Sequence, residues 1–208
     1  MPITYAGLPV LSLILASCVA GLLIIVLLPD ERGDLVKKVS AAFSGFTLLL
    51  SLHLFVSYDR ELGGLQYVER VAWIPSLGIH YFNGVDGFSL PNLLLTGIVF
   101  FTGVLTMWEV ETRVKEFFAL YFLLVTGVFG LFMSMDLFFI FVWYDVSLFP
   151  MYLLIAVWGT TRKEYGAMKL TLYLLAGSAL ILPAIIYLYS VSGCLLYTSD
   201  AADDLLCV

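Results

Sequence analysis

The chain carries sixteen carboxylate residues, and fifteen of them fall where water can reach: twelve in connections or at the edges of apolar runs, and three near the C-terminus. Asp145 is the exception, lying inside the apolar run 137–158. If a helix starts near Leu137, Asp145 lies about 12 Å in, near the middle of a hydrocarbon layer roughly 30 Å thick. An ionised Asp at that depth costs about 2.5–3.5 kcal/mol, so the carboxyl is expected to be paired or to exchange a proton. Burial disfavours its charged form and a nearby cation favours it. A rearrangement that moves a cation can therefore make it take up or release a proton, which is the chemistry of a proton relay. The competing reading is a neutral carboxyl held by hydrogen bonds as a packing residue.

The neighbouring residues favour the relay. Pro150 has no N–H to give the carbonyl of Val146, so a free acceptor and a kink are expected beside the carboxyl. Ser147 adds a hydroxyl. In hydrocarbon such groups must be met by a neighbouring helix, a side chain or water, which points to a hydrated pocket at this depth. Lys169, near the start of the sixth apolar run, either joins a hydrophilic path or snorkels to the surface. His53 reads as an interfacial imidazole satisfied by water or a carbonyl, and Asp136 as a helix cap. The aromatic residues Phe138, Phe139, Phe141, Trp143 and Tyr144 read as packing and lipid-facing surface.

Redox and metal chemistry have no ligand set here. Cys18, Cys194 and Cys207 form no CxxC pair and lack a fourth thiolate, which argues against an iron–sulfur cluster or a structural zinc. His53 and His80 are the only imidazoles, and His80 falls in a polar connection, so bis-histidine haem is not expected. A formal charge of -6 with scattered basic residues gives no reason to bind nucleic acid.

The elements that must position these residues follow from composition. Of 208 residues, 62% are hydrophobic and 12% charged, and the mean hydropathy is +1.02. Continuous apolar runs of about 20 residues make this an all-α, polytopic membrane helix bundle and exclude a soluble enzyme or an alternating porin-type barrel. Helices are expected at about 7–28, 40–57, 88–107, 117–134, 137–158 and 167–191. The first is read as a retained span, because its earliest basic residue, Arg32, follows the apolar core. Arg32, Lys37, Lys38, Arg113, Lys115, Arg162, Lys163 and Lys169 gather on one side, against Arg60 and Arg70 on the other. The positive-inside rule then places the N-terminus outside. The long connection 58–87 carries Trp73, Pro75, Tyr81 and Phe82, rings suited to the membrane interface. Its function is not legible from composition, and no internal repeat is visible. The transmembrane domain is read as 1–192. The acidic stretch 193–208 resembles translated adapter read-through joined to a truncated frame and is expected to be a non-native tail, with a natural acidic tail as the alternative.

Asp136-Leu-Phe-Phe-Ile-Phe-Val-Trp-Tyr-Asp145-Val-Ser-Leu-Phe-Pro150 through Trp158 and Gly159, followed by Arg162, Lys163, Tyr165 and Lys169, resembles helices five and six of subunit M, the ND4-type chain, of respiratory complex I. Gly84-Val-Asp86-Gly87-Phe-Ser89 resembles the same family's Gly-x-Asp-Gly-x-Ser motif before helix three. The resemblance implies the first six helices of an antiporter-like fold of about fourteen. The parent would be a proton-translocating membrane-arm subunit of NADH–quinone oxidoreductase, in the lipid bilayer beside other membrane-arm subunits and in a bacterial plasma membrane. It implies no cofactor in this chain, NADH and quinone being used by the holoenzyme. In the family a helix-five Glu works with a Lys on helix seven. Here Asp145 stands at the Glu position, one methylene shorter, and Lys169 matches the basic residue opening helix six. The chain stops after six helices, so alone it is not expected to pump. A multisubunit cation/proton antiporter, a membrane-bound hydrogenase and a non-transporting structural subunit are the alternative functions.

Overall fold

The computed structural model describes residues 9–29, 32–59, 64–74 and 79–192. The expected tail at 193–208 with Cys194 and Cys207, the first residues of helix one, Arg60 and Pro75 lie outside the described residues. So do the side chains of Trp73 and His80. The order is α1 (Val10–Leu27), α2 (Gly33–Ser57), β1 (Gln66–Ile74), β2 (Ile79–Val85), α3 (Ser89–Thr106), α4 (Val114–Met133), α5 (Leu137–Trp158) and α6 (Lys163–Ser192), with a 3-10 turn at Met107–Glu109. All six α-helices are long and apolar enough to cross a membrane.

The helices begin earlier than hydropathy alone suggests. α2 starts at Gly33 and not near 40, because its first turns carry Asp34, Lys37 and Lys38 and extend the helix beyond the apolar run. α4 and α6 likewise start with polar turns, at Val114 and Lys163. An apolar run marks the portion of a helix that lies in hydrocarbon, while the hydrogen-bonded ladder continues into water.

α4 is central and packs against α1, α3 and α5. Phe118, Phe122 and Phe129 on it are fully buried, and Phe122 meets Phe100 of α3 edge to face with ring centroids 4.8 Å apart. Small residues allow the close approaches, as expected where lipid tails give helices no hydrophobic incentive to associate. A Cβ on Gly130 would fall 2.3 Å from the Trp143 ring, and one on Gly127 would lie 3.0 Å from Ser147 Cβ, so both glycines seat α5 on α4. A hydrogen bond of 2.8 Å between Ser17 and Thr47 joins α1 to α2. Chiefly, α6 packs along α5.

The connection 58–87 contains an antiparallel hairpin, with Arg70 opposite Phe82 and Val71 opposite Tyr81. It lies across one end of the bundle. Tyr67 donates to the carbonyl of Ser57 at the end of α2 (3.2 Å), and the amide of Met135, in the α4–α5 turn, donates to the carbonyl of Phe82 (2.9 Å).

Candidate functional site

α5 is a continuous helix through Pro150. Its start is set by Asp136, which is fully buried and accepts from the amide of Phe138 at 2.9 Å, the capping role expected for it. Asp145 lies just over two turns further on and is half-buried. Its Oδ1 is fully buried and has no hydrogen-bond partner among the described residues. A lone buried carboxyl oxygen in hydrocarbon is a costly arrangement. One residue on, the carbonyl of Val146 lacks the donor that Pro150 cannot supply.

The other expected residues are not gathered around this carboxyl. Ser147 turns to the opposite face, where its hydroxyl donates to the carbonyl of Tyr144 at 2.7 Å and its Cβ packs at Gly127. Two residues apart on a helix means about 200° around it, so Ser147 serves the α4 contact and not Asp145. Lys169 is exposed on α6, with Nζ 5.8 Å from the centre of the Tyr165 ring and 6.0 Å from that of Tyr173. It lies about 10 Å nearer the α5–α6 turn than Asp145 along the helix axes. Among the described residues the ion pair formed is Arg113 with Glu116, at 2.6 Å. His53 is exposed and meets the Ser57 hydroxyl at 3.4 Å. Of the aromatic residues, Phe139 is buried edge-on to Tyr81 of the hairpin, and Trp143 packs on Gly130 with a buried, unpartnered Nε1.

Two further carboxylates, Glu69 and the motif residue Asp86, cap helices. Glu69, on β1, accepts from the amides of Leu11 (3.1 Å) and Ser12 (3.2 Å) and from the Ser12 hydroxyl, capping α1 from 57–58 residues away. Asp86 caps α3: its Oδ1 accepts from the amides of Phe88 (3.2 Å) and Ser89 (2.7 Å) and from the Ser89 hydroxyl, while its own amide donates back to Ser89 Oγ (3.3 Å). This reciprocal box explains why Asp and Ser stand three apart in Gly84–Ser89. Burial pushes the Asp86 carboxyl upward, but the Ser89 hydroxyl and three backbone amides together bring it below its ordinary range. Tyr58, at the end of α2, is raised by burial and then by the charges of Asp86 and Asp59.

Comparison with known proteins accords with this geometry. Residues 134–201 match the family described as NADH:quinone oxidoreductase/Mrp antiporter, transmembrane. NAD(P)H-quinone oxidoreductase chain 4 1 of Nostoc sp. is 34% identical over 178 residues, covering 85% of this chain and 33% of the relative. NADH-quinone oxidoreductase subunit M of Rhodobacter capsulatus is 36% identical over 157 residues, covering 76% of this chain and 30% of the relative. A chain of respiratory complex I from Thermus thermophilus superposes with a TM-score of 0.77 at 26% identity, over 90% of this chain and 38% of that one. The chain thus spans about a third of the length of the curated relatives it matches. A TM-score of 0.75 at 20% identity with a chain of an archaeal sulfane sulfur reductase shows the shared fold. Family match, relatives and fold agree: residues 134–201 carry the NADH:quinone oxidoreductase/Mrp antiporter transmembrane domain, and the chain is similar to chain 4 and subunit M of NADH-quinone oxidoreductases.

Proposed function

We propose that this chain forms part of a proton-translocating membrane-arm subunit of a NADH–quinone oxidoreductase, with Asp145 as the group that takes up and releases the proton. The observation that carries the proposal is the buried, unpartnered Oδ1 of Asp145 in the middle of α5. A carboxyl with no protein partner is free to switch protonation state when a cation or water approaches, whereas a packing carboxyl would have its hydrogen bonds made. The unpaid carbonyl of Val146 beside it offers water a second acceptor. In this reading Pro150 keeps that acceptor open, Ser147 fixes the seat of α5 on α4, and Lys169 stands exposed at the basic end of α6, a candidate entry to a proton path.

Electron transfer from NADH to quinone takes place elsewhere in the holoenzyme. The subunit lies in a bacterial plasma membrane among other membrane-arm subunits, with its basic connections on the cytoplasmic side and its N-terminus outside. A cation/proton antiporter of the Mrp type shares the family description. The chain 4 and subunit M names of the relatives at 33–37% identity favour the oxidoreductase.

The test is proton pumping by the intact complex in membrane vesicles, read per NADH oxidised. Asp145→Asn is expected to lower pumping at least tenfold with normal assembly, and Asp145→Glu, which keeps the acid, to retain it. Full pumping by the assembled Asp145→Asn complex overturns the relay and leaves Asp145 a packing residue. Sodium-driven proton exchange without NADH oxidation would instead identify an antiporter.

A further inference from the structure

At the end of the bundle away from the hairpin, the start of α2 meets the α3–α4 connection around an open cleft of about 630 Å³, lined by Arg32, Asp34, Lys37, Lys38 and Glu111 among others. Among the described residues three cations face two carboxylates there, a net of one positive charge. Among the described residues, Arg32, Lys37 and Lys38 make no ion pair. Two helix starts border the same cleft: Gly33 opens α2 and Val114 opens α4, and a Cβ on Gly33 would lie 3.8 Å from the Val114 side chain. Neither start receives a side-chain cap, and the positive ends of two helix dipoles, roughly half a charge each, face the cleft, with Asp34 and Glu116 in their first turns.

Charge of this kind calls for an anion, and the apolar surroundings indicate its source. Leu35 lines the cleft, and Leu27, in the last turn of α1 just before it, is 83% exposed. An anion seated here with hydrocarbon attached would lay its chains along that apolar surface while its phosphate met the basic groups. Asp34 and Glu111 can accept from headgroup hydroxyls.

We propose that this cleft binds the phosphate of an anionic phospholipid with a hydroxyl-bearing head, of the phosphatidylglycerol type, through Arg32, Lys37 and Lys38 at the start of α2, beside the start of α4. The site stands apart from Asp145, so its fate does not depend on the proton relay.

Native mass spectrometry of the purified full chain, titrated in detergent with phosphatidylglycerol, phosphatidylethanolamine, phosphatidylcholine or inorganic phosphate, tests it. Phosphatidylglycerol is expected to bind at least fivefold tighter than the other three, and R32Q/K37Q/K38Q to abolish that preference. R162Q/K163Q, which removes two cations at the same end but outside the cleft, is expected to change it less than twofold. Should the triple variant fail to fold, K37Q and K38Q measured singly are each expected to weaken binding about twofold. Equal binding of phosphatidylcholine, tighter binding of phosphatidylethanolamine or free phosphate, or an equal loss in R162Q/K163Q overturns the proposal.

Discussion

Two residues show how local chemistry fixes this membrane bundle. Asp86 holds the start of α3 through bonds that favour its ionised form, so its folded-state pKa lies below the unfolded value of about 4. The stabilisation it supplies is therefore complete above that value and is lost as pH falls through the folded one. Asp86→Ala is expected to cost about 1 kcal/mol near neutrality and to flatten the acid limb of a denaturation profile taken from pH 6 to 3. Gly130 makes a different demand, since any side chain there runs into the Trp143 ring. Gly130→Ala is expected to destabilise by about 1–3 kcal/mol in thermal unfolding. Gly166→Ala, with open space around the added methyl, is expected to be neutral or to gain up to about 1 kcal/mol. Asp145 was legible in the sequence because one carboxylate in an apolar run is conspicuous. The unsuitability of Ser147 as its companion was not, because a residue two places away counts as near in a sequence and faces elsewhere on a helix.

The element the sequence concealed is the hairpin. Tyr67-Val-Glu-Arg-Val-Ala-Trp-Ile74 and Ile79-His-Tyr-Phe-Asn-Gly-Val85 mix β-branched and aromatic residues with a Pro and a Gly between them, a strand–turn–strand signal. Against a background of long apolar runs it reads as interfacial aromatics. Its Glu69 reads as one more charged loop residue until the fold brings the amides of Leu11 and Ser12 to it. Glu69→Ala is expected to cost about 1–2 kcal/mol and to speed hydrogen exchange at those two amides about tenfold or more, while exchange in the middle of α4 stays unchanged. The helix starts of α2, α4 and α6 extend beyond the apolar runs for a related reason: hydropathy senses the solvent, and the backbone ladder does not.

On the scale of the whole molecule, six spans and an all-helical membrane bundle followed from run length alone, because the hydrocarbon thickness sets the length of a crossing helix. Which helices touch did not follow, since apolar faces look alike to lipid and to protein. α6 illustrates this. Leu180 is 74% and Tyr187 68% exposed on it, whereas Ser178 is 4% and Ile185 7%. Nitroxide labels on the 208-residue chain in bilayers are expected to show strong broadening by dissolved oxygen at Leu180 and Tyr187 and little at Ser178. The hairpin also bears on how the molecule is made. The group that finishes the amino end of α1 arrives 57–58 residues later in the chain. As the ribosome delivers the segments in order, the first two spans must enter the bilayer unfastened and wait there, their final seating deferred until β1 has crossed to join them.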